Sequence, residues 1–207
     1  MLLFMPGDRN PLVLSHDFLD VMAWDVVIGA VLLALGSLRL HYDSKSACFD
    51  ESDRNLRLGF AVAGAAAGFF LFIAGLVIIF MWPFAALSGG VYDVLFGGIA
   101  VMGGLLSLAG SVVVAMNVDC RPITYFAFVA GLYALVDSYA IMTYGLTSSP
   151  VIAALGYLGF AAPAILSVPA THLPDKHWRY LFTIFAFLFA TVWLIEAATF
   201  TLGHLKP

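Results

Sequence analysis

Of the 207 residues, 62% are hydrophobic and 11% charged, with 18 Phe, 19 Gly and 9 Pro; a soluble domain averages roughly 45–50% apolar and about 25% charged. So few charges cannot cover a water-facing surface, which excludes a soluble globular domain and points to an integral membrane protein. Nine Lys+Arg against 13 Asp+Glu give a net charge of -4 with no long basic run, so neither nucleic acid nor anionic lipid head groups are expected partners, while the hydrophobicity makes membrane lipid one.

Residues 1–17 contain Pro6, Asp8, Arg9 and Pro11 and lack the basic start and cleavage pattern of a secretory signal, so they read as an interfacial N-terminal segment. Apolar runs able to cross ~30 Å of hydrocarbon, roughly 20 residues each, follow at about 18–38, 57–81, 92–116, 122–144, 150–170 and 178–203. They predict an all-α bundle of six transmembrane helices forming one domain over 18–207. Runs such as Ala61 to Phe80 and Leu181 to Ile195 are apolar on every face, which excludes the alternating strands of a membrane barrel.

Helix-breaking residues agree with these boundaries. Trp82-Pro83 closes the second span, Arg121-Pro122 opens the fourth and Ser149-Pro150 the fifth, while Pro169 and Pro174 bracket the turn before the sixth. Pro163 is expected to kink the fifth span. Gly64 and Gly68, and the row Gly103, Ser107 and Ser111, have the small-residue spacing that lets helices approach closely.

Basic residues are distributed unevenly. Arg39, Lys45, Arg54, Arg57, Arg121, Lys176 and Arg179 fall on one side of the six-span arrangement, leaving Arg9 and Lys206 on the other. That asymmetry predicts a cytoplasmic loop at 39–56 and both termini outside.

Four acidic residues lie within or at the lip of the spans: Asp25, Asp93, Asp137 and Glu196. An acid at mid-bilayer costs roughly 2.5–3.5 kcal/mol on insertion scales, so each is a functional candidate. At 1.5 Å per residue, Asp137 stands roughly 24 Å from Arg121, Glu196 about 25 Å from Arg179 and Asp25 about 21 Å from Arg39. Three separate spans thus deliver carboxylates to the outer third of the membrane, with Asp93 at its mouth. If their faces converge, repulsion and desolvation favour a bound proton, metal ion or other cation. Tyr92 and Tyr133, with Tyr139 and Tyr144, belong to the same outer halves; His16, Asp17, Asp20 and His204 lie nearer the surface. His16, His204, Tyr92 and Tyr133 are the candidate supplementary ligands. The bland alternative is that each acid is solvated, caps a helix or bonds a neighbouring hydroxyl.

Haem is not expected, because no histidine pair lies at mid-span: His16 and His204 fall at the outer surface, and His41, His172 and His177 on the cytoplasmic side. Cys48 and Cys120 lack metal-ligand spacing. Neither HExxH, GxSxG nor a phosphate-binding glycine loop occurs, which argues against an enzyme.

The stretches Phe80-Met-Trp-Pro83, Tyr92-Asp-Val-Leu-Phe-Gly97, Phe126-Ala-Phe-Val-Ala-Gly-Leu-Tyr133 and Tyr144-Gly-Leu-Thr147 carry a resemblance over about residues 78–168. There the chain resembles the family catalogued as domain of unknown function 981, small multi-pass membrane proteins of archaea and some bacteria. The resemblance implies a compact helical bundle in a prokaryotic plasma membrane and brings no activity, cofactor or catalytic residue with it.

The leading expectation is a small membrane protein whose outer-leaflet carboxylates, Asp25, Asp93, Asp137 and Glu196, bind or conduct a proton, cation or metal ion. The alternatives are a non-catalytic accessory subunit of a larger respiratory or oxidising membrane complex, touching other transmembrane subunits or copies of itself, and an intramembrane metalloenzyme that adds His16 or His204.

Overall fold

In hydrocarbon every backbone N–H and C=O must be satisfied within its own segment, so each apolar run continues as one unbroken helix. The computed structural model describes residues 11–40, 42–43, 48–83, 90–147 and 149–204, with side chains from residue 19 onward except those of 48, 203 and 204. The helices are α1 (Pro11–Arg39), α2 (Arg54–Met81), α3 (Val91–Met116), α4 (Arg121–Tyr144), α5 (Pro150–His172) and α6 (Lys176–His204). All six are long and apolar enough to cross a membrane. Between α1 and α2 lie two short antiparallel strands, β1 (Tyr42–Asp43) and β2 (Cys48–Phe49), and a 3-10 turn at Glu51–Asp53.

The ends are set by local chemistry. Trp82 closes α2 in the left-handed conformation (φ 47°), with its N–H donated to the Ile78 carbonyl, and Pro83 cannot continue the helix. Asn117 and Gly145 close α3 and α4 in the same way. Helix α1 begins at Pro11, a residue well suited to a first helical turn, and its membrane-length apolar stretch is Leu19–Arg39. One expectation needs correction. Helix α5 runs through Pro169 to His172, so the turn before α6 starts at Leu173; a proline in the last turn removes only one bond from the ladder.

Each helix packs on its sequence neighbours and α6 closes against α1, so the six form a ring. The tightest seam joins α2 and α3, where small residues let the backbones touch. A Cβ on Gly68 would stand 2.7 Å from Ser107 Cβ and 2.8 Å from the Leu108 nitrogen, and one on Gly75 would stand 2.6 Å from the Val101 nitrogen. Ser107 Oγ donates across this seam to the Gly64 carbonyl at 2.8 Å. The expected small-residue rows are therefore the contact itself. The closing seam sets Ala23, Val27 and Ala30 against Phe189, Ala190, Trp193 and Ala197. Trp24 Nε1 donates to Thr201 Oγ1 at 3.0 Å nearby.

The ring holds a half-open cavity of about 750 Å³ lined from all six helices. It runs from Asp25 and Trp193 to Thr124, Thr171 and Arg179. Tyr42 and Phe49 close its basic end, their rings 5.6 Å apart edge to face. This strand pair is tied down by Asn117, which accepts from the Phe49 N–H (2.8 Å) and donates to the Phe49 carbonyl (3.1 Å) and to Glu51 Oε1 (2.8 Å). Tyr42 Oη donates to the Thr171 carbonyl at 3.2 Å, and Arg179 donates to the Tyr42 carbonyl. Burial, and then the Cys120 thiol beside it, push the Tyr42 phenol up. Asn117→Ala removes three bonds and a residue tolerant of positive φ, so it is expected to lower stability by about 1–3 kcal/mol. Thermal unfolding in detergent checks this, and an unchanged midpoint would show that the strand pair is not held by Asn117.

Asp175 starts α6. Its Oδ1 accepts from the His177 backbone N–H at 2.9 Å and pairs with His177 Nδ1 at 2.6 Å, bonds that hold its carboxyl below the usual range. The folded value being depressed, the capping contribution is present above the ordinary carboxylate range and lost as pH falls through the depressed value. Both side chains are largely exposed, so the effect is local. The protection factors of the first-turn amides of α6, taken relative to the pH-dependent intrinsic exchange rate, should fall on acidification and in Asp175→Ala at neutral pH; equal protection in variant and wild type at neutral pH would remove the cap from the account.

Candidate functional site

All four membrane acids are buried: Asp25 is 9% exposed, Asp93 1%, Asp137 8% and Glu196 6%. An apolar bundle buries polar groups this fully only when packing or function requires it.

The site is assembled from three consecutive helices. Ser138 Oγ donates to the Ala154 carbonyl at 3.1 Å, fixing α4 on α5 beside Asp137. Trp193 Nε1 donates to the Gly156 carbonyl at 3.2 Å, fixing α6 on α5 one turn before Glu196. Gly156 lies against the carboxylate, since a Cβ there would be 3.2 Å from Glu196 Oε1. The next residue, Tyr157, is 2% exposed and lies within electrostatic range of Asp137, Tyr133 and Glu196. One buried phenol thus lies in the electrostatic neighbourhood of both carboxylates, with no hydrogen bond from its oxygen to either.

Asp25 joins this group along another face. It lines the central cavity together with Gly156, Tyr157 and Trp193. Among the described residues, Asp25 Oδ2, Asp137 Oδ2, Tyr157 Oη and Glu196 Oε1 are buried without a hydrogen-bond partner. A buried carboxylate oxygen left so is costly unless something positive or a proton accompanies it.

Asp93 occupies the first turn of α3. The Tyr133 phenol rests on Gly98, where a Cβ would collide with it. Because α3 and α4 are antiparallel neighbours, Asp137, one turn beyond Tyr133, comes to the level of Asp93. Tyr92 is half-buried with its ring 5.8 Å from Phe96, a packing contact. Tyr139 and Tyr144 are exposed, facing away from the bundle. Asp20 is half-buried on α1. The side chains of His16, Asp17, Cys48 and His204, and the whole of His41, lie outside the described residues.

Among the described residues no three His, Cys, Asp or Glu side chains are grouped so as to hold a metal ion. Two of the acids, Asp137 and Glu196, share the electrostatic neighbourhood of the Tyr157 phenol. Tyr157 was not singled out from the sequence, although a signal was present. It lies seven residues inside the Pro150 end of α5, the same depth as Asp137 from the Tyr144 end of α4.

Six helices in a ring, each long and apolar enough to cross a membrane, are consistent with a small multi-pass membrane protein. The chain matches the family model described as protein of unknown function (DUF981) over residues 14–207 and belongs to that family. The match extends well beyond the 78–168 stretch that carried the resemblance and takes in α1. No curated protein and no solved structure matches the chain.

Proposed function

We propose that this protein is a small membrane carrier or channel in which Asp137, Tyr157 and Glu196 bind and pass a proton or a small cation. Asp25 takes part from the cavity wall and Asp93 stands at the mouth. The observation that carries the reading is the set of unpartnered buried oxygens on Asp25, Asp137, Tyr157 and Glu196. Bare carboxylates in so apolar a bundle are too costly to retain as packing, whereas a proton or cation compensates their charge. A multidentate metal site has no support among the described residues, so the ion is a proton or one held by few protein ligands. The basic residues at the loop end support an orientation with the acids in the outer leaflet of a prokaryotic plasma membrane and both termini outside. The accessory-subunit reading rests on the exposed apolar helix faces, and lipid requires those in any case.

Dicyclohexylcarbodiimide, an apolar reagent that attacks protonated carboxyls, tests the site in native membranes. The expected result is label on Asp137 or Glu196, lost in Asp137→Asn with Glu196→Gln. Label on neither, in a preparation where the reagent is active on a known proton-handling carboxyl, would contradict the reading.

A further inference from the structure

We infer that the central cavity is a binding site for a single-chain amphiphile with an anionic head group, its head at Lys176 and Arg179 and its hydrocarbon tail reaching toward Tyr157 and Trp193. The inference is independent of ion passage at the carboxylates.

Size comes first. The cavity of about 750 Å³ lies within the 300–1,000 Å³ typical of sites for small organic ligands. Along α5 its lining extends from Gly156 to Thr171, roughly 22 Å at 1.5 Å per residue, longer than half of a ~30 Å hydrocarbon core. That suits an extended chain better than a compact polar molecule.

Wall chemistry then sets the class and the direction. The middle of the cavity is lined mostly by small and apolar side chains, including Leu71, Ile99, Gly103 and Phe160, alongside the Ser107 and Ser111 hydroxyls, a wall that offers water few hydrogen bonds. Both cationic groups in the lining, Lys176 and Arg179, lie at one end, with the Thr124 and Thr171 hydroxyls nearby. Arg179 donates to the Tyr42 carbonyl and retains further N–H groups for a ligand. The opposite end carries the Asp25 carboxylate, which would repel an anion. Charge is therefore complementary to an anionic head in one orientation only.

Two glycines provide a clean test. Gly29 and Gly110 line the cavity, and a Cβ on either meets nothing within 4 Å, so Gly29→Phe and Gly110→Phe add a ring at the cavity wall without displacing a neighbour at the Cβ. The probe is a palmitate analogue with a diazirine at its chain end, photolysed with the full-length protein in phosphatidylcholine nanodiscs and mapped by mass spectrometry. Saturable labelling is expected at cavity-lining residues near the tail end, such as Phe96, Tyr157 or Trp193. It should fall about tenfold or more in Lys176→Ala with Arg179→Ala, and equally in the two glycine variants while their unfolding temperatures stay at or above wild type. Unlabelled palmitate should compete and hexadecanol should not. Label confined to outward-facing residues such as Phe69 and Phe80, or full labelling in glycine variants that fold normally, would overturn the site. Equal competition by hexadecanol would overturn the anionic head.

Discussion

Gly104→Leu should lower stability by more than about 3 kcal/mol and prevent recovery of a folded monomer from detergent. A Cβ at Gly104 collides with the Phe72 backbone nitrogen and stands 2.6 Å from its Cα, and those atoms belong to the facing helix, so no side-chain rotation can relieve the clash. Overpacking a core typically costs about 1–3 kcal/mol when side chains can move aside, and more when backbones must separate. The same separation would break the Ser107 to Gly64 hydrogen bond. Gly29→Leu is the control, because its Cβ meets nothing within 4 Å and leucine favours helix over glycine by a few tenths to about 1 kcal/mol. Thermal unfolding of the two variants in one detergent decides the matter. Equal midpoints would show that the α2–α3 seam does not govern stability.

Tyr157→Phe separates function from stability. The phenol oxygen is buried and has no hydrogen-bond partner among the described residues, so its removal relieves a desolvation penalty and should leave stability unchanged or raise it by about 1 kcal/mol. If the phenol passes a proton between Asp137 and Glu196, the same change should slow flux by about tenfold or more. A variant that is both more stable and less active has no explanation in misfolding. A variant that is less stable and fully active would make Tyr157 a packing residue and remove it from the pathway.

The contrast between these two sites shows what the sequence makes legible. Spans could be read closely because hydrocarbon admits few backbone solutions, and Trp82-Pro83 or Ser149-Pro150 marks an end whatever the tertiary context. The seam between α2 and α3 was legible for a related reason: Gly64, Gly68, Ser107 and Ser111 announce close approach by their size. Which helices neighbour one another was not legible, and the cavity and the role of Tyr157 depend on it. Depth along a helix follows from residue number, so Asp137 and Glu196 could be placed at one level. Direction around a helix depends on packing, so the depth of Tyr157 could be read from its residue number while its position near both carboxylates could not. Arg57 makes the same point at the other end. Counted with the basic loop it reads as a solvated charge, yet the fold leaves it 3% exposed with Glu51 Oε2 at 3.9 Å.

Charge movement is the most direct test of the proposal that buried carboxylates pass a proton or cation. Purified protein in liposomes, with a potassium diffusion potential imposed and internal pH and sodium read by dyes, should admit protons or sodium faster than protein-free liposomes. Asp137→Asn with Glu196→Gln should return the rate to that baseline while the protein remains folded. Identical rates for wild type, double variant and protein-free liposomes would contradict the account, as would undiminished flux through the double variant.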